Sequence, residues 1–368
     1  MATVKTIDTQ TLSDWLATDK KVSILDIRPL SERTEWHIPQ SIHLNVYENL
    51  KAGNRDAFDF LLLDKLLPIV TLCAGGNLSL FATELLSENG YDAYSLEGGM
   101  KAWNFAWDTA IIELGNVKII QVRRLAKGCL SYIIGAGHKA MVIDASLHPS
   151  IYLNLAVQHG YVIEKVADTH IHADYVSRTK ELAKATGAAH LMLDLAEVNY
   201  DFIPVKNGTE LLLGNTPIKI IHTPGHTLES TSFLIEDSVL LTGDTLFIDS
   251  VGRPDLKANE HETWLKAAML YDTLHLITAL NDNVEILPAH TSKSIEIGQG
   301  IISSSLGQIK KSITMLSLEK EMFIETVLSK LPPTPANYLQ IAEINRNADA
   351  SGYSLADLEA GANRCAIQ

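Results

Sequence analysis

The segment Thr169-His170-Ile171-His172-Ala173-Asp174-Tyr175 sets two imidazoles and a carboxylate at alternating positions. In an extended chain every second side chain shares a face, so His170, His172 and Asp174 could converge on one point. Imidazole and carboxylate together suit zinc or ferrous iron. Later segments offer partners. His222 and His226 flank a turn in His222-Thr223-Pro224-Gly225-His226, Asp244 ends the apolar run Leu241-Thr242-Gly243-Asp244, and His290 follows Leu287-Pro288-Ala289. Each alone is an ordinary polar loop residue. In this order, mostly just past expected strands, they make a candidate metal site, with His222 read as a packing or capping residue. Gly252-Arg253-Pro254-Asp255 adds an arginine that either fixes its loop through Asp255 or meets a substrate carboxylate.

A second candidate lies in Leu72-Cys73-Ala74-Gly75-Gly76-Asn77-Leu78-Ser79, where an apolar strand runs into a cysteine, a glycine pair and a helix. Gly75 and Gly76 let the backbone curl until its amides face the sulfur, and the helix N-terminus adds positive potential. Both stabilise a thiolate or persulfide at Cys73. A packed core cysteine is the competing reading.

The elements that must hold these groups follow from apolar patterning. Strands at 22–27, 70–72 and 93–96 alternate with helices at 11–18, 79–88 and 98–103, which suggests a small α/β domain with a parallel sheet. After a transition around Trp107 to Gly115 the pattern becomes strand-rich. Strands are expected at 117–123, 130–134, 140–143, 161–166, 218–222, 231–235, 239–241 and 284–287, with helices at 150–159, 176–186 and 258–280. A layered αββα sandwich suits that order, and the division falls at 1–112 and 113–368. A chain of 368 residues is long enough for both. Its formal charge of −14 argues against a nucleic-acid partner. Three widely spaced cysteines, Cys73, Cys129 and Cys365, argue against a disulfide framework. With no signal-like start and no apolar run of spanning length, a cytoplasmic protein without membrane contact is expected. Homo-oligomerisation is left open.

These motifs carry two family resemblances. Residues from about 5 to 108 resemble a rhodanese domain: Leu25-Asp26-Ile27-Arg28, Glu32 and His37-Ile38-Pro39 match its first signature, and Ser95 to Trp103 its last. Residues from about 115 to 368 resemble the metallo-β-lactamase fold, in its glyoxalase II and persulfide dioxygenase branch. The implied architecture is an α/β rhodanese-like domain followed by an α+β αββα sandwich. Glyoxalase-II-like enzymes bind two metals, and Tyr175 stands where they carry a second-site histidine. Persulfide dioxygenases hold one ferrous iron through two histidines and an aspartate, which the motifs carry onto His170, His226 and Asp244. That resemblance implies one Fe(II) per chain, with zinc as the alternative. His172, Asp174, Tyr175 and His290 would then support the site or belong to a second one, and for His172 supporting and ligand roles both stand. Arg253, together with Arg364 and Cys365 of Ala362-Asn363-Arg364-Cys365, would lie on the substrate side.

The implied reaction is oxidation of a low-molecular-weight persulfide by dioxygen to sulfite and thiol, with Cys73 carrying sulfane sulfur. Pro288 to Lys293 lacks the tyrosine that glutathione-using members place after the last histidine, so a carrier of glutathione, coenzyme A or bacillithiol type stays open. Leu78 stands where active rhodaneses carry arginine, which implies weak thiosulfate binding; Asp26 and Arg28 read as structural. Two alternatives remain. One is a glyoxalase II-like thioester or lactone hydrolase with two metals. The other makes the rhodanese-like part a binding or regulatory module.

Overall fold

The computed structural model describes residues 4–18, 20–291, 295–361 and 363–367. Ser292, Lys293 and Ala362 of the segments above lie outside them.

Parallel strands covered on both faces need continuous apolar runs, and Ile69–Leu72 is buried throughout. It sits at the centre of a five-stranded parallel sheet ordered Thr6–Ile7, Ala93–Leu96, Ile69–Leu72, Ser23–Asp26, Ile42–His43. Helix Asn77–Glu88 packs Ala82, Leu85 and Leu86 against it. Cys73 therefore stands at the carboxyl end of the central strand, where open α/β sheets place their ligands. The Asp26 carboxylate is buried, with both oxygens bonded to Arg28 (3.0 and 2.7 Å) and a further contact to Arg33 (3.1 Å). Asp26 and Arg28 thus organise the loops at that end of the sheet.

The remainder is built on a seven-stranded and a six-stranded sheet packed face to face. The first is ordered Ile203–Val205, Ala189–Leu193, Val162–Ala167, Lys139–Ile143, Leu130–Ala136, Val117–Arg124, Trp107–Leu114. The second is ordered Glu210–Leu213, Thr216–His222, Thr231–Ile235, Val239–Gly243, Glu285–Pro288, Ser304–Ser305. The two-residue period of each strand separates the layers. Ile119, Ile134, Met141 and Ile143 share one cluster with Ile218, Ile220, Phe233 and Leu241 between the sheets. Their neighbours Ile120, Val122 and Val142 pack instead with Tyr152, Leu155 and Leu182 of the outer helices Pro149–Gln158 and Thr179–Thr186. On the opposite side Ile221, Leu234 and Leu240 pack under helix Glu260–Thr278. The layers run helix, sheet, sheet, helix, as expected.

The domain division differs from expectation. Trp107–Leu114 pairs residue by residue with Val117–Arg124, from Trp107 opposite Arg124 to Leu114 opposite Val117. The chain therefore enters the second sheet at Trp107, and a boundary at 112/113 would cut a strand. As a half-exposed edge strand it carries too little contrast between faces to stand out as one. Among the described residues, no helix is long and apolar enough to cross a membrane.

Candidate metal centre

Four strand ends deliver the polar residues. His170 follows Val162–Ala167, His226 follows Thr216–His222, Asp244 follows Val239–Gly243 and His290 follows Glu285–Pro288. The segment 169–175 is not extended but a succession of bends, so alternation does not decide what its side chains share. Its path is set by Asp144, a buried residue held at a φ of 59° just past strand Lys139–Ile143. The Asp144 carboxylate accepts the Thr169 amide at 2.7 Å and the Thr169 hydroxyl at 2.9 Å, and it meets His172 Nε2 at 3.0 Å. Asp144 stands outside the residues that the sequence singles out. Its signal was the one used for Asp244, a carboxylate ending an apolar strand.

His170, His226 and Asp244 converge, with ligand atoms within 4.8 Å of one another and all three side chains buried. Asp244 Oδ2 lies 3.8 Å from His170 Nε2 and 3.7 Å from His226 Nε2. His226 Nδ1 bonds the Arg253 carbonyl at 2.8 Å and His170 Nδ1 meets the Thr169 hydroxyl at 2.9 Å, which orients both rings from behind. Burial holds both imidazoles below their ordinary pKa, so each keeps a lone pair free. His170 Nε2 and Asp244 Oδ2 are buried without a hydrogen-bond partner. Orphaned buried polar atoms are costly unless something takes them up. Two neutral imidazoles and a carboxylate aimed at one point fit a divalent metal ion.

The other residues of the motif are held differently. His172 Nε2 turns to Asp144 and to the Tyr175 hydroxyl, 2.8 Å away, and His172 clusters with Asp144 and Asp168 rather than with the three ligand candidates. Burial, then Asp144, Asp168 and Asp174, push the Tyr175 phenol well above its ordinary range. It is a neutral phenol that also donates to the Asp144 carbonyl at 3.3 Å, not a phenolate ligand. Asp174 Oδ2 meets His290 Nε2 at 2.8 Å, Asn363 Nδ2 at 2.8 Å and the Cys129 thiol at 3.5 Å. His290 bridges Asp174 to Asp244 through its two ring nitrogens. Burial opposes a charge on His290, but the two carboxylates outweigh it and hold its pKa well above the ordinary value.

Arg253 is engaged within the protein. Its buried guanidinium spends Nε and Nη2 on both oxygens of Asp255, each at 2.7 Å. The remaining donors go to the carbonyls of Pro332, Pro333 and Arg364. All five N–H groups of an arginine are thereby used, leaving none for a ligand. Arg364 reaches across the domains to Glu35 at 3.3 Å and lines a cavity of about 230 Å³ with Glu35, Lys127 and Asp174, away from His226. Cys365 is buried, with its sulfur grouped with Asp244 and His290. His222 bonds the Leu228 carbonyl at 2.8 Å and closes the turn that carries His226.

In the cysteine loop the Gly76 amide donates to Cys73 Sγ at 3.2 Å and Ser79 Oγ lies 3.6 Å from it. Gly76 takes a φ of 90° and caps the N-terminus of helix Asn77–Glu88, three residues past the cysteine. A Cβ on Gly76 would meet Gly98 N at 2.9 Å, so only glycine fits there. Gly75 and Asn77 are exposed, while Leu78 packs against the cluster that contains Cys73 and supplies no cation.

Residues 8–106 match the rhodanese-like domain and residues 125–278 match the metallo-beta-lactamase superfamily. The hydroxyacylglutathione hydrolase of Francisella tularensis subsp. novicida is 30% identical over 164 residues, 43% of this chain and 61% of that protein. The hydroxyacylglutathione hydrolase of Anaeromyxobacter dehalogenans is 32% identical over 175 residues, 47% of this chain and 65% of that protein. The chain thus spans less than two thirds of these relatives. A metallo-beta-lactamase structure from Staphylococcus aureus subsp. aureus COL superposes with a TM-score of 0.58 at 29% identity, covering 67% of this chain and 75% of the other. ETHE1 from Myxococcus xanthus shares the fold, with a TM-score of 0.54 at 24% identity over 66% of this chain and 99% of the other. The chain is a rhodanese-like domain followed by a metallo-β-lactamase domain.

Proposed function

We propose that this protein is a persulfide dioxygenase with one non-heme iron, coupled to a sulfur-carrying rhodanese-like domain. The observation that carries this reading is the three-residue cluster His170, His226 and Asp244 beside a Tyr175 held as a neutral phenol. A two-histidine, one-carboxylate face leaves open positions for two reactants side by side, which dioxygen chemistry needs. A ferrous ion held there would supply the electrons that activate dioxygen. The net reaction is RSSH + O2 + H2O giving RSH, sulfite and two protons. The protein's own part is to orient: Thr169 and the Arg253 carbonyl fix the imidazoles, and His290 fixes Asp244 from the far side. At Cys73 the Gly76 amide supports a thiolate or persulfide.

The hydrolase reading draws on the similarity to hydroxyacylglutathione hydrolases. It calls for metal-bound hydroxide, in this branch between two ions. Tyr175, which meets His172 Nε2 at 2.8 Å, weighs against a second ion, whereas the buried Asp174 Oδ1, His172 Nδ1 and His290 Nε2, which lack hydrogen-bond partners, are what the hydrolase reading would use. The test is oxygen-electrode turnover with several small persulfides alongside metal analysis of the same sample. Oxygen uptake tracking iron content is expected. Stoichiometric zinc with acyl-glutathione cleavage and no oxygen uptake would overturn the proposal in favour of the hydrolase.

A further inference from the structure

A cavity of about 390 Å³ opens beside His226, within the size range of small-molecule sites, about 300–1,000 Å³. Leu195, Leu228, Leu265 and Met269 line it from a loop, a turn and helix Glu260–Thr278, and they are 54%, 55%, 40% and 38% exposed. Large apolar side chains left singly in water are ordinary, but four from three elements around one opening mark a binding surface. Leu265 and Met269 stand one helical turn apart and share a face. The buried Ile171, next to the ligand candidate His170, joins the same wall.

The charges around the opening cancel. Three carboxylates, Glu197, Glu229 and Glu262, accompany three cations, Lys257, Lys266 and Arg346. Glu229 accepts the Ile171 amide at 2.9 Å, Glu262 closes the capping box on Asn259 at 2.9 Å, and Lys266 donates to the Leu256 carbonyl at 3.1 Å. Lys257 feels Glu343 and Glu229 as well as Arg346. An anionic ligand meets no net countercharge there and gives up hydration to enter. An aliphatic chain gains about fourfold in affinity for each methylene it buries.

We infer that this cavity takes the aliphatic part of a neutral thiol persulfide, and that its wall selects neutral aliphatic carriers over anionic ones. This rests on the dioxygenase reading only for the reacting end of the ligand.

The test uses the full iron-loaded chain without oxygen and reads binding, not turnover. Ethanethiol, propanethiol, butanethiol and glutathione are titrated calorimetrically into wild type, Leu265→Gln, Met269→Gln and Trp264→Gln. Trp264 is exposed on the same helix but lies outside the cavity lining. Glutamine suits a helix, and matched thermal melts establish that each variant is folded. Affinity is expected to rise about fourfold with each methylene, with butanethiol tighter than glutathione. Leu265→Gln and Met269→Gln should each weaken butanethiol by about threefold or more while ethanethiol stays within about twofold, and Trp264→Gln should change neither. A series flat in chain length, glutathione tighter than butanethiol, or Trp264→Gln matching Leu265→Gln would overturn the inference. The persulfides of the same thiols at the oxygen electrode separate the two readings. Chain-length-dependent binding without oxygen uptake on any persulfide would overturn the dioxygenase reading and leave the apolar site standing. Oxygen uptake on glutathione persulfide with flat thiol binding would do the reverse.

Discussion

Glu359 lies buried at the junction of the two domains, and removal of its side chain has a cost that can be worked out. Its Oε2 pairs with Arg124 Nη1 at 2.6 Å and its Oε1 accepts the Val176 amide at 3.1 Å. Its carbonyl accepts Asn104 Nδ2 and Lys127 Nζ, each at 3.0 Å. Arg124 and Glu359 are 0% and 1% exposed, so water does not screen the pair. Glu359→Ala keeps the carbonyl contacts but strands the guanidinium and one amide. Breaking a buried pair from one side costs about 3–5 kcal/mol, and an orphaned amide about 1–3 kcal/mol more. The loss of roughly 4–8 kcal/mol is a large share of a typical folding free energy. Urea unfolding followed by tryptophan fluorescence reads it as a lowered midpoint. Because the pair is bought at a desolvation cost, Arg124→Met with Glu359→Leu should recover most of the loss. A Glu359→Ala variant within about 1 kcal/mol of wild type, or a double variant worse than the single, would refute this account of the pair.

Four further outcomes are expected. His190 is buried against Tyr200 with its pKa lowered to about 4, by burial and then by Lys180, so the unfolded chain takes up the proton first as pH falls. The His190 contribution should fall by roughly 3 kcal/mol between pH 6.5 and pH 4, and His190→Phe should lessen the loss of stability over that window in urea titrations. Arg253→Lys should lower stability by about 2–4 kcal/mol through its lost carbonyl and carboxylate bonds, whereas an unchanged melt with a raised KM would restore a substrate role. Tyr175→His should raise the metal-to-protein ratio measured by elemental analysis from one towards two; a ratio fixed at one would mean that the Asp174 and His290 contacts, not the tyrosine, exclude the second ion. Cys73→Ser should abolish the added sulfur seen by mass spectrometry after exposure to glutathione persulfide, and in wild type thiosulfate should load the site poorly because Leu78 offers no cation.

The candidate ligands were legible because metal chemistry restricts residue types, and because His226, Asp244 and His290 each follow an apolar strand that announces itself. The geometry between them was not. Alternation in 169–175 pointed to one shared face, but the Asp144 carboxylate takes the Thr169 amide and turns the segment, sending His170 and His172 to different partners. Arg253 reads equally well as ligand contact or brace until the carbonyls of Pro332, Pro333 and Arg364 are seen around it. The edge strand Trp107–Leu114 was obscured because a half-exposed strand lacks the apolar continuity that betrays a central one.

The arrangement of the two domains bears on how sulfur would pass between them. Met100 and Lys101 donate their amides to the carbonyls of Cys73 and Ala74, so the cysteine loop is tied to helix Gly99–Trp103. Lys101 pairs with Asp357, and Asn104 just beyond that helix holds Glu359. Glu359 in turn holds Val176, next to the motif that bears His170. The Lys101 pair is exposed and worth little, but the Glu359 contacts are buried and resist hinge motion. Cys73 is only 4% exposed and lines neither the cavity beside His226 nor the one at Arg364. On the dioxygenase reading, Cys73 and the metal cluster sharing neither cavity favours sulfur exchange through a diffusible thiol that visits both centres.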